Sequence, residues 1–309
     1  MKKLFSIIVL SLLVISTNAQ DKIYGAFFSS QAVKSITANG TTGSATGSFG
    51  GSMSVDQTAA LGYGIFNGIG YIVTLQYTTD DHVDIYARKA DGTGSYVKIM
   101  NNADIASGDV DLDYVRLGID QNGVGYIVSK SSSSNSIYIG TFTWNGSLSN
   151  PSVNVNKRGK LNTNDNTNSI FINGDLAIAS NTLFILANNG SGSTKIYTIS
   201  LTSLASANSS SVNSISSKWD LRKSDGTQFG GTVNGFAFAS TGSAYLSTSS
   251  GLYFIDQTTT NFNGIGTVKC SLMKSESDIS DLATGYWPAN TSLPVTIKSI
   301  TVTLSHSKK

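Results

Sequence analysis

Residues 62–73, GYGIFNGIGYIV, and residues 118–128, GIDQNGVGYIV, are near copies of one phrase. In each, a turn is wrapped in apolar residues and followed by Tyr-Ile-Val. A tight hairpin needs residues that tolerate positive φ, and the strand after it favours aromatic and β-branched side chains. Weaker relatives stand at 22–36 (KIYGAFFSSQAVKSI), 176–189 (LAIASNTLFILANN) and 235–256 (GFAFASTGSAYLSTSSGLYFID). Each contains a short apolar run, a Gly/Asn/Ser turn, a second run with an aromatic near its start, a polar loop and a third run. That is the pattern of an antiparallel meander.

The aromatics Tyr24, Tyr71, Tyr126, Phe184 and Tyr245 stand in equivalent places, 47 to 61 residues apart. A period of this size with several strands per unit and few helix signals predicts an all-β fold, a β-propeller of four-stranded antiparallel blades. In the second unit the pattern predicts strands over 59–66, 70–77, 83–89 and 95–100. In the third it predicts them over 114–120, 125–129, 136–144 and near 153–157. The best helix candidate, LTSLASANSSSVNS at 201–214, is too rich in serine and β-favouring residues to count as one. SESDISDLATGY (275–286) resembles a first strand with no blade after it, and KIYGAFFSS lacks a first strand before it. If residues 278–284 fill that vacancy, the chain ends share a blade and the ring closes without exposed edges. Five blades are expected, with six as the alternative if the interval containing SSKWDLRKSDG (216–226) begins another.

MKKLFSIIVLSLLVISTNAQ has two lysines, an apolar run and small residues up to Ala19. It reads as a signal peptide over 1–19, cleaved near Ala19, and predicts a secreted or cell-surface protein with no stable membrane insertion. The expected division is this signal, a propeller over 20–288 and a C-terminal tail over 289–309. Loss of Lys2 and Lys3 from the 21 basic residues leaves basic residues equal in number to the 19 acidic ones. The balance offers no basic field for nucleic acid.

The lone Cys270 excludes an internal disulfide and reads as a small buried hydrophobe. With only two histidines, His82 and His306, and one glutamate, Glu276, a His- or Cys-rich zinc site cannot be assembled. HExxH, GxSxG and P-loop patterns are absent.

In a four-stranded meander the loop between strands two and three shares a face with the loop into the next blade, and carboxylates gather there. Asp80, Asp81, His82, Asp111 and Asp165 are the candidates for a binding face. Alternation puts Asp109, Asp111 and Asp113 on one side of an extended segment, where hard oxygen ligands suit calcium, the one cofactor candidate. The bland reading is a solvated run of aspartates that bond to local amides, and the glycine and glutamate of a calcium hand loop are missing from their positions. His82 is read as a solvated loop residue. Trp144 is expected to pack between blades and Tyr286-Trp287-Pro288 to seal the ring closure, in preference to stacking on sugars.

The tail carries LPVTIKSITVTLS over 293–305. It resembles the start of a segment, LPV followed by an alternating strand, that precedes the sorting domain in cargo of type IX secretion systems. The resemblance implies a β-sandwich and a sorting signal further on, so the tail is read as the start of a truncated or vestigial segment. GFAFASTGSAYLSTSSGLYFIDQTT likewise resembles uncharacterised secreted propellers.

Two functions fit these readings. The preferred one is a non-catalytic extracellular propeller, a structural module or a binder of a glycan or surface protein. The alternative is a glycoside hydrolase acting on polysaccharide with carboxylates at the channel mouth, for which Asp113, Glu276 and Asp281 are the catalytic candidates.

Overall fold

A computed structural model describes residues 20–54, 60–79, 82–106, 110–131, 136–163, 171–188, 194–256 and 266–289; the side chains of Thr79 and of residues 110–113 are outside that description. The chain is all-β, and among the described residues the sole helical element is a 3-10 turn, Leu201–Ser203.

The strands assemble into four-stranded antiparallel units. The first is β1 (Gln20–Phe27), β2 (Ala32–Asn39) and β3 (Ala45–Ser54), completed by the last described strand, β21 (Ile279–Thr284). β4 (Ala60–Phe66), β5 (Ile69–Thr79), β6 (His82–Lys89) and β7 (Val97–Asp104) form the second. The third holds β8 (Val110–Ile119), β9 (Val124–Ser131), β10 (Ser136–Trp144) and β11 (Val153–Asn162). In the fourth are β12 (Asn173–Ala179), β13 (Thr182–Asn188), β14 (Thr194–Ser200) and β16 (Ser217–Lys223). The fifth comprises β17 (Val233–Phe238), β18 (Ala244–Thr248), β19 (Gly251–Ile255) and β20 (Gly266–Ser275).

β21 lies antiparallel to β1, with Tyr24 opposite Ala283 and Gly25 opposite Leu282, so the two chain ends share one sheet as the sequence suggests. The strand of SSKWDLRKSDG, β16, pairs antiparallel with β14 as the outer strand of the fourth unit. Two additions depart from plain four-stranded units. The helix candidate at 201–214 instead contributes β15 (Ser209–Asn213), which pairs parallel to β11, and β16 pairs parallel to β20, joining the outer edges of the fourth and fifth units. Both pairings cover an outer edge that would otherwise present unpaired backbone groups.

The repeated phrase now has a packing reason. Asn67-Gly68 closes the β4–β5 hairpin with both φ values positive (50° and 76°), and Ser180-Asn181 does the same between β12 and β13 (50° and 56°). These are the conformations a two-residue hairpin demands. After the turn, Tyr71 and Val73 face the third unit while Ile72 faces the first. In the copy, Tyr126 and Val128 face the fourth unit while Ile127 faces the second. Phe184, Tyr245 and Tyr24 keep the same phase, each turned toward the unit that follows. The strand period of two thus feeds one apolar cluster on either side of every unit. Opposite these five aromatics in the first strands stand Ala283, Gly64, Gly118, Ala177 and Ala237, all small.

The buried apolar residues collect between successive units rather than at one centre. Trp144 is buried against Phe66 and Tyr71 of the preceding unit, at centroid distances of 4.8 and 4.9 Å. Cys270 is buried in the apolar cluster between the fourth and fifth units. The first strands contact one another in the order β4, β8, β12, β17, β21 and back to β4.

Candidate functional site: a buried carboxyl pair among the first strands

A first strand has one edge paired within its own sheet, so the backbone groups on its other edge need partners from elsewhere. Side chains supply several of them. Asp281 of β21 accepts the N–H of Leu61 in β4 at 2.7 Å on Oδ2 and its neighbour Leu282 N–H at 2.6 Å on Oδ1. Asp175 of β12 accepts Phe236 N–H of β17 at 2.6 Å on Oδ2 and Leu176 N–H at 2.7 Å on Oδ1. Arg116 of β8 donates from Nε to the carbonyl of Gly174 at 2.5 Å and from a terminal nitrogen to Val115 O at 2.7 Å. Asn234 of β17 donates to Ile279 O at 2.9 Å, and the hydroxyl of Thr284 donates to Phe238 O at 2.6 Å. The β4–β8 junction is apolar, with Leu117 and Ile119 against the backbone of Gly62.

Arg116, Asp175 and Asp281 stand at the same register, two residues before the small partner of the aromatic, where β4 and β17 carry Gly62 and Gly235. A Cβ on Gly235 would lie 2.6 Å from the amide nitrogen of Leu282, so only glycine admits β21 this closely. The two aspartates are hydrogen-bonded to each other, and both are buried.

Burial is the main force on both acids, because it disfavours the charged form. It pushes Asp281 up to about 7, opposed by the hydrogen bond from Asp175 and the charge of Arg116. It holds Asp175 well above the usual carboxylate range, reinforced by the charge of Asp281. Two like charges this close disfavour each other, so the pair tends to share a proton and titrates as a unit. Tyr114, whose ring lies under the Arg116 guanidinium at 4.7 Å, donates its hydroxyl to Leu186 O at 2.6 Å and is likewise raised by burial.

Beside this register the first strands line a cavity of about 30 Å³, bordered by Leu117, Leu176, Phe236, Leu282, Tyr286 and Trp287. That is space for about one water. Trp287 Nε1–H donates to Ile119 O at 2.5 Å, Pro288 O accepts Ser180 N–H at 3.0 Å, and the Tyr286 hydroxyl reaches Gln20 O at 3.4 Å. Tyr286, Trp287 and Pro288 thus bond to β1, to β8 and to the β12–β13 turn.

Of the catalytic, binding and metal candidates whose side chains are described, Asp281 is the one at this register. Glu276 is half-buried in the connection from β20 to β21, its N–H bonded to Ser250 O at 3.3 Å. His82 opens β6, opposite Thr79 and Asp104, instead of lying in the loop before it, because β5 and β6 continue their pairing to that point. Asp80, Asp81, Asp109 and Asp165 lie outside the described residues. Asp111 and Asp113 belong to β8, but their side chains lie outside the description too, so the calcium candidate has no geometry to report. Among the described residues no three His, Cys, Asp or Glu side chains gather as a metal site. No helix among them is long and apolar enough to cross a membrane.

The sequence reading missed Asp175 and Arg116. One signal pointed to the first: the tripeptide Asp-Leu-Ala occurs at 175–177 and again at 281–283, in the same strand of two units.

No protein-family model matches the chain. No curated protein matches it either. Among solved structures it is similar to a protein of unknown function from Bacteroides caccae, with a TM-score of 0.39 and 10% identity over 86% of this chain and 98% of that one. It is also similar to an exo-β-1,3-galactanase from Phanerochaete chrysosporium solved with β-1,3-galactotriose, with a TM-score of 0.36 and 12% identity over 60% of this chain. That likeness spans about half, 47%, of the galactanase.

Proposed function

We propose that the chain is a five-bladed β-propeller, exported under its N-terminal signal, that serves outside the cell as a non-catalytic binding or structural module. The cyclic order of first-strand contacts and the sheet shared by β21 and β1 support the five blades. The observation that carries the non-catalytic reading is the buried carboxyl pair. A glycosidase needs two carboxyl groups about 5–9.5 Å apart, flanking the bond to be cut. Asp175 and Asp281 are bonded to each other, and all four of their oxygens accept backbone N–H groups. The adjoining space of about 30 Å³ admits no sugar. What would be catalytic machinery in an open site is here used to bind adjacent strands together.

The glycoside hydrolase alternative rests on Asp113 and Glu276, with Asp281 as their partner. Both readings face one experiment. The full chain is incubated with a panel of polysaccharides, including a β-1,3-galactan, and reducing ends are measured beside Asp113→Asn and Glu276→Gln. Retention on an insoluble glycan or surface protein without sugar release is the expected result. Release by the wild type that either substitution abolishes would overturn the module reading. Type IX export of the tail and a calcium site at Asp109, Asp111 and Asp113 are carried forward as proposals on sequence grounds alone.

A further inference from the structure

At the end of the first strands opposite the carboxyl pair, a second cavity of about 320 Å³ lies against Trp287. The same residue also borders the smaller cavity among the first strands. Its only N–H is spent on Ile119 O, which fixes the ring and leaves aromatic surface as what it offers the outer cavity. Gln121, Asn122 and Asn181, on the hairpin turns of the third and fourth units, line the same space. All three are exposed, and among the described residues their side-chain amides make no hydrogen bond. Asp120 adds a buried carboxylate: Oδ1 accepts Asn122 and Val124 N–H at 2.8 and 2.9 Å, while Oδ2 has only a long contact of 3.4 Å with the Tyr126 hydroxyl.

We propose that this cavity binds a neutral sugar ring, a pyranose unit of a glycan. The proposal rests on the binding-module reading above and names its ligand class and its site. One face of a pyranose is rich in C–H groups and packs on an aromatic ring, while its hydroxyls need partners that both donate and accept, as side-chain amides do. Among the described residues no lysine or arginine lines the cavity, and Asp120 disfavours anions, so these residues offer phosphate and carboxylate ligands no counter-charge. The volume stands at the small end of ligand sites, which run from about 300 to 1,000 Å³, and suits one or two rings. Typical binding energy per atom puts a single ring near a Kd of about 1 mM or weaker.

Trp144 and Trp219 are buried and Trp287 is half-buried, so tryptophan fluorescence of the full chain reports on this site. The probes are the methyl pyranosides of glucose, galactose and mannose and their β-linked trisaccharides. A saturable change with at least one probe is expected. The double substitution Asn122→Ala with Asn181→Gly should weaken it about tenfold or more at an unchanged melting temperature, since glycine keeps the left-handed turn at Asn181. Trp287→Phe should keep weaker binding, detected by calorimetry. Product analysis of the same mixtures separates the two readings. Binding without cleavage supports both; cleavage of a bound trisaccharide would overturn the module reading and leave the site. No saturable change with any probe would overturn the site while leaving a module whose partner lies elsewhere. Binding that survives the double substitution unchanged would also overturn it.

Discussion

Asp281→Asn is predicted to be less stable than the wild type at acid pH and to close that gap as pH rises. Two effects of opposite pH behaviour set the outcome. In the substituted chain the amide oxygen keeps one of the two backbone bonds made by Leu61 and Leu282, and the amide nitrogen faces the other N–H. One orphaned buried N–H costs about 1–3 kcal/mol at every pH. The wild type carries a cost that depends on pH. An unfolded aspartate titrates near about 3.9, whereas burial pushes Asp281 up to about 7 in the fold. Between those values the folded chain binds more protons than the unfolded chain. The pair's contribution to stability is therefore full below about pH 4 and is lost as pH rises through about 7. The displacement of about three units sets an upper bound of about 4 kcal/mol, or roughly 8 °C in melting temperature for a chain of this size. Asp175, also held well above the usual carboxylate range, adds a loss of the same sign.

The groups facing Asp281 are Asp175 and Arg116, with Tyr114 beside them; the substitution removes the Asp281 charge that helps to raise Asp175, so the loss that Asp175 adds at higher pH shrinks as well and the gap closes in the same direction. Exposed Asp91 and Asp225 are held low by hydrogen bonds from Thr93 and Thr227, so any stability they add is present above about pH 4 and lost below it. That contribution is common to both chains and cancels in the difference. The assay is thermal unfolding by circular dichroism of both chains at pH near 4.5, 6.5 and 8.5 and constant ionic strength. A gap that widens with pH would refute the reasoning. It would mean that Asp281 is a stabilising anion held by Arg116, not an acid whose ionisation the fold resists.

Three further outcomes follow from the same structure. Trp144→Ala removes the ring that fills the space between Phe66 and Tyr71, and should cost about 3–5 kcal/mol in denaturant unfolding; a loss below about 1 kcal/mol would show that the junction closes without it. Burial pushes the Cys270 thiol up to about 12, so a thiol reagent at pH 8 should leave the native chain unmodified and label it fully in denaturant, and rapid native labelling would contradict this burial. If Asp109, Asp111 and Asp113 hold calcium, millimolar calcium should raise the melting temperature above that in chelator, while coincident melts would remove calcium from consideration.

Much of the fold is legible because it is written in local terms. The Asn-Gly turn states its own backbone conformation, and the strand after it states by alternation which side chains face which neighbour. The sequence also carries the vacancy that β21 fills, because a first strand without a unit and a unit without a first strand are visible at opposite ends of one chain. The outer-edge pairings of β15 with β11 and of β16 with β20 are not written this way, since each joins segments about fifty residues apart with no shared local pattern to mark the partners. The carboxyl pair lies between these cases. Asp175 follows Asn-Gly, where an aspartate ordinarily serves the turn, and its acceptor role requires Phe236 N–H, 61 residues away on a strand that does not pair with its own. The Asp-Leu-Ala tripeptide shared with Asp281 marks the register but not the reason for it. The reason appears only when first strands meet edge to edge with unpaired N–H groups to satisfy, and the same acids that satisfy them must then give up a charge to remain buried. A carboxylate's address in such a sequence is therefore weak evidence for chemistry until the partners of its oxygens are known.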